Sequence, residues 1–322
     1  MQVPNHEALY KTLDAGFPFT ATVLQYNVDQ AMREEGYPET KWVNRMERVK
    51  RLIDEVDADI VCLQEMRQLP DSPTVNRFLG SFTQYRYTVA YRNPGAASFG
   101  NAILYKPEKW FPVESVVRWL TGEHVNDTKK PGDAWATKSA GSCGYGYIVM
   151  GVRLLPVVDG RIAQPSPALW VFNTHFGLEE DLKTRSCRML RAIVNDVALD
   201  ELFIVCGDFN FFPDRDGGKQ RAILSEVWND LGDGAVTCRG RRVEGTFVGY
   251  ERDAFKADLN NMVSRLDHVF SHRQLVVNST PLLYTKTMLE KEPEELTTRS
   301  YPSDHLPLVV SIIQDFPVDM AL

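Results

Sequence analysis

Six places in this chain put a side chain capable of binding a hard cation or moving a proton at the end of an apolar run. They are Asn27 in LQYN, Glu65 in VCLQE, His175 in VFNTH, Asp208 with Asn210 in VCGDFN, Asp267 in SRLDH, and Asp304-His305 in SDHLP. Each alone has an ordinary explanation: Asp-Phe-Asn suits a turn, a lone histidine suits the surface or a satisfied core position, and Asp267 has Arg265 near it for a salt bridge. Together they do not. A buried strand has no solvent-facing reason to end in an acid, an amide or an imidazole each time. If these ends share one mouth, the result is a cluster of oxygen ligands with two histidines.

The elements that must position them can be read from periodicity. Trp42, Met46, Val49, Ile53 and Val56 recur at helical spacing amid Lys and Arg, and the segment Ala58 to Glu65 that follows holds a continuous apolar stretch, Ile60 to Leu63, ending at Gln64-Glu65. Such a run suits a strand buried on both faces. The pattern then repeats: Leu182, Met189, Ile193 and Val197 mark a helix, and Leu202 to Cys206 a strand running into Gly207-Asp208. Further strands are expected at Ala21 to Tyr26, Arg86 to Tyr91, Ala102 to Tyr105, Tyr147 to Leu154, Leu169 to Asn173, Leu266 to Phe270 and Leu308 to Ile313. Many strands with few helices predict an α/β fold of two stacked sheets covered by helices. The polar stretches Thr121 to Tyr145 and Lys286 to Ser303 read as loops.

The 322 residues would fill two average domains or one large one; we expect a single domain over 1–322 with a core of about 21–313. No apolar run approaches the ~20 residues of a membrane helix, and the opening residues lack a basic, then apolar, leader pattern. Five cysteines, an odd number without zinc-ligand spacing, read as buried thiols in a reducing compartment. A cytoplasmic monomer is the expectation. The net charge of −7 is opposite to the footprint of a protein that grips long nucleic acid, so strong duplex DNA binding is not expected.

In order and spacing, LQYN, DIVCLQE, FNTH, VCGDFN, RLDH and SDHLPL resemble the endonuclease/exonuclease/phosphatase family of metal-dependent phosphoesterases, from about Ala21 to Ile313. Within it, WVFNTHF, Arg185-Ser186 and GTFVGY (Gly245 to Tyr250) resemble a poorly characterised group. That group tends to have an acidic residue where Gly177 stands and a histidine where Val248 stands. The resemblance implies a four-layer α/β-sandwich with one active site at the sheet edge. It also implies that His305 lies beside the scissile phosphate and is oriented by Asp267.

Phosphoester hydrolysis must deliver water to an anion and stabilise a departing oxyanion, which a divalent cation helps by screening charge and polarising oxygen. Glu65 is the first metal-ligand candidate, with Asp304 and Asn27 in support; hard oxygen donors without thiolates point to Mg²⁺, with Mn²⁺ as a substitute. Asp208 would orient the attacking water and Asn210 would hydrogen-bond the phosphate, since the side chains of an extended Asp-x-Asn face the same way. His175 would come from the other side, to stabilise charge or protonate the leaving group. Asn27, Asn210 and His175 are thus the substrate-binding candidates beside the catalytic His175, Asp208, Asn210, Asp267 and His305. The basic run Arg239 to Arg242 suits an anion clamp or a solvated turn. Phe209, Phe211 and Phe212 suit base stacking or, more commonly, core packing; His268 and His272 have no assigned role.

The reading is a Mg²⁺-dependent hydrolase of a small phosphoester or a short single strand of nucleic acid. The alternatives are a nuclease for single-stranded DNA or RNA, a catalytically inactive binding scaffold, and a nucleic-acid-binding module. Every expected catalytic position is filled, which disfavours the scaffold. The charge disfavours the module.

Overall fold

The computed structural model describes residues 19–30, 41–68, 74–92, 98–120, 124–126, 146–163, 167–212, 216–237, 245–247, 265–283 and 302–314. The run Arg239 to Arg242 and Val248 lie outside the described residues, as do nearly all of the two expected long loops.

In chain order the elements are β1 (Thr20–Asn27), α1 (Trp42–Val56), β2 (Ile60–Gln68), α2 (Thr74–Gly80), β3 (Arg86–Tyr91), β4 (Ser98–Tyr105), β5 (Trp110–Trp119), β6 (Ile148–Val158), β7 (Arg161–Ile162), β8 (Leu169–His175), α3 (Glu180–Ala198), β9 (Leu202–Asp208), α4 (Gly217–Ser225), β10 (Asn229–Asp230), β11 (Val236–Thr237), β12 (Asp267–Ser271), β13 (Leu275–Val277), β14 (Leu282–Leu283) and β15 (Leu308–Gln314). They build two mixed sheets. The first runs β11-β14-β15-β1-β2-β4-β3, with β13 also on β15; the second runs β10-β12-β9-β8-β6-β5, with β7 on β6.

The repeated helix-strand unit is in each case the second half of a βαβ crossover. β1 pairs parallel with β2 through α1, and β8 pairs parallel with β9 through α3. In both sheets an antiparallel strand, β15 or β12, flanks the first or last member of that unit. The sheets face one another through β1, β2 and β4 against β8, β9 and β12. Between them Val23, Ile60, Cys62, Ile103, Leu169, Val171, Ile204, Cys206 and Val310 are buried in one core. A second core lies under α3, where Cys187, Leu190, Ile193 and Val194 meet Phe172, Phe203, Val205 and Phe270. With α1 and α2 on the first sheet, the result is the expected four-layer α/β-sandwich.

The helices turn differently from the sequence expectation. In α1 the buried line includes Arg45 along with Trp42, Val49, Leu52 and Ile53, while Met46 and Val56 flank it. In α3 the buried line is Lys183, Ser186, Cys187, Leu190, Ile193 and Val194, and Leu182, Met189 and Val197 are only partly buried. The sequence pattern missed these rotations because a charged residue paired in the interior is counted as solvent-facing. It also missed β5, an edge strand with a mostly exposed middle, and the short α2 and α4. A Pro112/Glu114 irregularity breaks its alternation.

Candidate active site

All six strand-end motifs converge on one mouth between the sheets. Asn27 closes β1, His175 closes β8, Asp208 closes β9, Asp267 opens β12, and Asp304-His305 precede β15. His175 is in register with Asp208, and Asp208 with Asp267, so three neighbouring strands deliver three functional side chains side by side.

Glu65 arrives by a different route from the expected strand end. β2 continues to Gln68, and between Leu63 and Met66 it carries a bulge, with Gln64 and Glu65 opposite a single partner residue on β4. Glu65 has φ +58°, a left-handed conformation that costs a side-chain-bearing residue roughly 1 kcal/mol or more. The bulge keeps Gln64 pointing into the space between the sheets, where its amide nitrogen donates to Asn173 Oδ1 at 2.7 Å. It also brings the Glu65 carboxylate within 3.0 Å of the Asn27 amide nitrogen.

The focus of the site is one oxygen atom. Asp208 Oδ2 accepts a hydrogen bond from Asn27 Nδ2 at 2.9 Å and has His175 Nε2 and His305 Nε2 each 3.6 Å away. Asn27 thus donates to both Asp208 and Glu65, and its own oxygen accepts the Asp29 N–H at 3.0 Å. His305 Nδ1 stands 2.7 Å from Asp267 Oδ2. The other oxygen of Asp267 accepts from Gln25 Nε2 at 3.2 Å.

Asn210 departs from the extended geometry expected of Asp-x-Asn. Its φ is +53°, and its N–H turns back to Asp208 Oδ1 at 2.9 Å, because the strand ends at Asp208 and the aspartate side chain offers the backbone a closer acceptor. The two side chains converge through this turn: Asn210 Nδ2 lies 3.3 Å from His175 Nε2 and donates to Phe176 O at 2.9 Å. Buried Lys183 secures the turn from α3 by donating to Asn210 O at 2.8 Å and to Glu180 at 2.6 Å.

The ordinary alternatives resolve residue by residue. Arg265 pairs with Asp230 and with Asp233 instead of Asp267. His268 is buried between Asp230 and the Arg265 carbonyl, and His272 lies against Phe203, so both serve packing. Phe209 and Phe211 are buried against Phe176, which removes them as base-stacking surfaces. Phe212 alone of the three lines the cavity.

Several positioning residues escaped the sequence reading. Arg45 reaches from α1 to the carbonyls of Val28 at 3.0 Å, of Pro302 at 2.5 Å and of Asp29, tying the chain after Asn27 to the segment carrying Asp304 and His305. Ser303 Oγ donates to Asn27 O at 2.7 Å. Thr246 Oγ1 accepts the N–H of Leu266 and of Asp267, each at 3.1 Å, while its carbonyl accepts the Leu306 N–H at 2.7 Å. The adjoining Phe247 bridges to His305 through the backbone and lays its ring 5.1 Å from the imidazole. Thr246 and Ser303 fall inside the quoted GTFVGY and SDHLP strings, which was the available signal for them; Arg45 lies in no such string, and its partners lie far along the chain.

Burial dominates the electrostatics. It raises the Asp208 pKa to about 7, with Asp267 adding to the rise and His305, Asn27 and the Asn210 N–H opposing it. Burial also raises Glu65, and the charge of Asp304 adds to that. His305 moves well above its ordinary value: burial opposes its charge, but Asp267 and Asp208 outweigh burial, leaving an imidazolium at neutral pH. His175 moves well below, through burial and the positive charges of Arg92 and His305, leaving a neutral ring.

Glu65, His175 and Asp208 hold their donor atoms within 4.8 Å of one another, as do Asp208, Asp267 and His305. A buried and a half-buried carboxylate side by side, one imidazole and no thiolate form a donor set that fits a hard divalent cation. Asp304 lines the same cavity, which has a volume of about 410 Å³.

Two stacked sheets carrying carboxylates, amides and a histidine-aspartate pair at one mouth define a hydrolase scaffold of the phosphoesterase class. The chain belongs to the Endonuclease/Exonuclease/phosphatase family, whose sequence model matches residues 24–305. It is 26% identical over 297 residues to an uncharacterized protein of Acanthamoeba polyphaga mimivirus, covering 89% of this chain and 98% of that one. Its fold is that of an endonuclease/exonuclease/phosphatase from Bacteroides vulgatus, with TM-score 0.69, 19% identity and coverage of 92% of this chain and 100% of the other. A mannosyl-6-phosphatase of Bacteroides thetaiotaomicron has the same fold, with TM-score 0.66, 20% identity and coverage of 90% and 98%. No helix among the described residues is long and apolar enough to cross a membrane.

Proposed function

We propose that this chain hydrolyses a small phosphoester in the presence of Mg²⁺, with Mn²⁺ as an effective substitute. The observation that carries the reading is the surround of Asp208 Oδ2: one amide donor at 2.9 Å, two imidazoles at 3.6 Å, and the Glu65 carboxylate on the same amide. Glu65 is the principal metal ligand, with Asp304 beside it in the cavity. The bound cation supplies charge screening and polarisation of a phosphate oxygen.

The chain's own residues do the rest. Asp208 accepts a hydrogen bond from the attacking water and orients it, and its raised pKa makes it a competent proton acceptor near neutral pH. Asn27 keeps Asp208 and Glu65 apart at fixed spacing. The His305 imidazolium, held by Asp267, donates to the phosphate and stabilises the charge that develops there. Asn210 and neutral His175 hold the phosphate from the opposite side.

The cavity volume of about 410 Å³ suits a small molecule, and the net charge of −7 disfavours long-range attraction to polyanions. Hydrolysis of p-nitrophenyl phosphate, bis(p-nitrophenyl) phosphate, sugar phosphates and single-stranded oligonucleotides, with and without Mg²⁺, tests the reading. Turnover of the small esters above the oligonucleotides supports it; cleavage of the oligonucleotides alone makes the chain a nuclease. No turnover of any ester would leave a binding scaffold.

A further inference from the structure

The two sheets present their functional side chains in matching order. Along the first sheet the mouth reads His305 just before β15, Asn27 on β1 and Glu65 on β2; along the second it reads Asp267, Asp208 and His175 on β12, β9 and β8. Continuing outward past Glu65 and His175, the next side chains lining the cavity include Arg92, just after β3, and Tyr147, just before β6. β3 lies two strands beyond β2, roughly 10 Å at ordinary strand spacing. These residues therefore sit beside the place of the reacting phosphate, on the His175 side.

They form one unit. The Arg92 guanidinium lies 4.4 Å above the centre of the Tyr147 ring and donates to the His175 carbonyl at 3.3 Å, while its backbone N–H is held by Phe99 O at 2.9 Å. Tyr147 can occupy this place only because residue 177 is glycine. A Cβ there would fall 2.7 Å from the ring carbons Cε2 and Cζ and 2.8 Å from the hydroxyl. The departure at Gly177 thus has a physical reason: the space an acidic side chain would take is filled by Tyr147. The cavity wall gains a cation. A planar guanidinium fixed on an aromatic face is suited to fork-like pairing with a carboxylate or phosphate.

We infer that Arg92, positioned by Tyr147 and by the room left at Gly177, is a second anion site, and that the preferred substrate is a phosphoester whose alcohol carries another phosphate or carboxylate. This rests on the phosphoesterase reading above. Arg92 touches the substrate's second anion; Tyr147 and Gly177 are positioning residues.

The test is steady-state kinetics on two matched pairs: 4-methylphenyl against 4-carboxyphenyl phosphate, and a hexose 6-phosphate against the hexose 1,6-bisphosphate. In the wild-type protein with Mg²⁺, the doubly anionic member of at least one pair has a KM lower by about tenfold or more. A preference in the first pair alone assigns a carboxylate, in the second alone a phosphate. Arg92→Gln erases the preference, and Arg92→Lys, which keeps the charge and loses the fork, retains part of it. Tyr147→Phe keeps it, whereas Tyr147→Leu and Gly177→Ala weaken it through KM more than kcat. Hydrolysis of both members with equal KM, or an Arg92→Gln protein with the preference intact, overturns this inference and leaves the phosphoesterase reading standing. A folded wild-type protein that turns over p-nitrophenyl phosphate or its diester but neither pair overturns this inference alone, and one that hydrolyses none of these esters overturns both.

Discussion

His305 Nδ1 and Asp267 Oδ2 stand 2.7 Å apart in a fully buried setting, with the opposite ring nitrogen of His305 facing Asp208 Oδ2 at 3.6 Å. The histidine is oriented by one aspartate and looks at another. Two anions on one imidazole outweigh the penalty of burial, so the ring carries its charge at neutral pH.

That pairing predicts strong non-additivity. Asp267→Asn and His305→Ala should each lower kcat by about 10²–10⁴, the range of a single positioned acid-base group. The double variant should be little worse than either single one. Independent, multiplying losses would mean that the pair does not act as a unit.

His175 behaves differently because burial, Arg92 and His305 all disfavour its charge. A neutral ring serves as a hydrogen-bonding or ligating group and not as a stored proton. His175→Ala should therefore slow alkyl phosphoesters and activated nitrophenyl esters by similar factors. A much greater loss on the alkyl esters, whose departing oxygen needs protonation, would restore the leaving-group acid role.

The raised carboxylates predict a pH-dependent stability. Between its ordinary 3.8 and about 7, Asp208 is ionised in the unfolded chain but still protonated in the folded one. The folded state then binds more protons, so stability falls as pH rises through this window; Glu65 is shifted in the same direction. Thermal unfolding of the metal-free protein should show Tm carrying a downward slope from these carboxylates between pH 4.5 and 7.5, set against the rise that His175, with its lowered pKa, adds below its ordinary 6.5. Asp208→Asn should flatten that slope, and Mg²⁺ should raise Tm more at pH 7.5 than at pH 5. A slope unchanged in Asp208→Asn would remove Asp208 as its source.

Glu65 should show the opposite tendencies of stability and activity. Its backbone is held at φ +58° and its carboxylate lies beside Asp208 and Asp304. In the absence of metal, Glu65→Gly should match or exceed the wild-type stability, by up to about 1 kcal/mol, because glycine takes this conformation freely and no carboxylate remains to be buried. Denaturant unfolding of the two proteins checks this, and a loss of more than about 1 kcal/mol would show that the bulge is unstrained.

The site was legible in the sequence because its chemistry lies at strand ends, where an acid or imidazole interrupts an apolar run. The helix-strand half of each βαβ crossover was legible for the same reason, while the parallel pairing that completes it was not. Glu65 shows the limit: an apolar run ending in Glu reads the same whether the strand stops or bulges, and only pairing with β4 separates the two. Asn210 shows another, since an aspartate that caps its own turn reads like an extended Asp-x-Asn. Arg45, Lys183 and Thr246 were invisible because each is polar and buried against partners 16 to 257 positions away in the chain. Arg92 and Tyr147 flank strands of different sheets, so no local pattern joins them.

The central claim, hydrolysis of a phosphoester that requires a divalent cation at Glu65, is tested most directly by a Mg²⁺ titration of bis(p-nitrophenyl) phosphate and p-nitrophenyl phosphate turnover. The wild-type protein should be silent in EDTA and recover with added Mg²⁺ or Mn²⁺. Glu65→Gln, which removes one charge with little change of shape, should need far more Mg²⁺ and reach a lower maximum while remaining folded. Full turnover in EDTA, or a Glu65→Gln titration that overlays the wild type, would contradict the account.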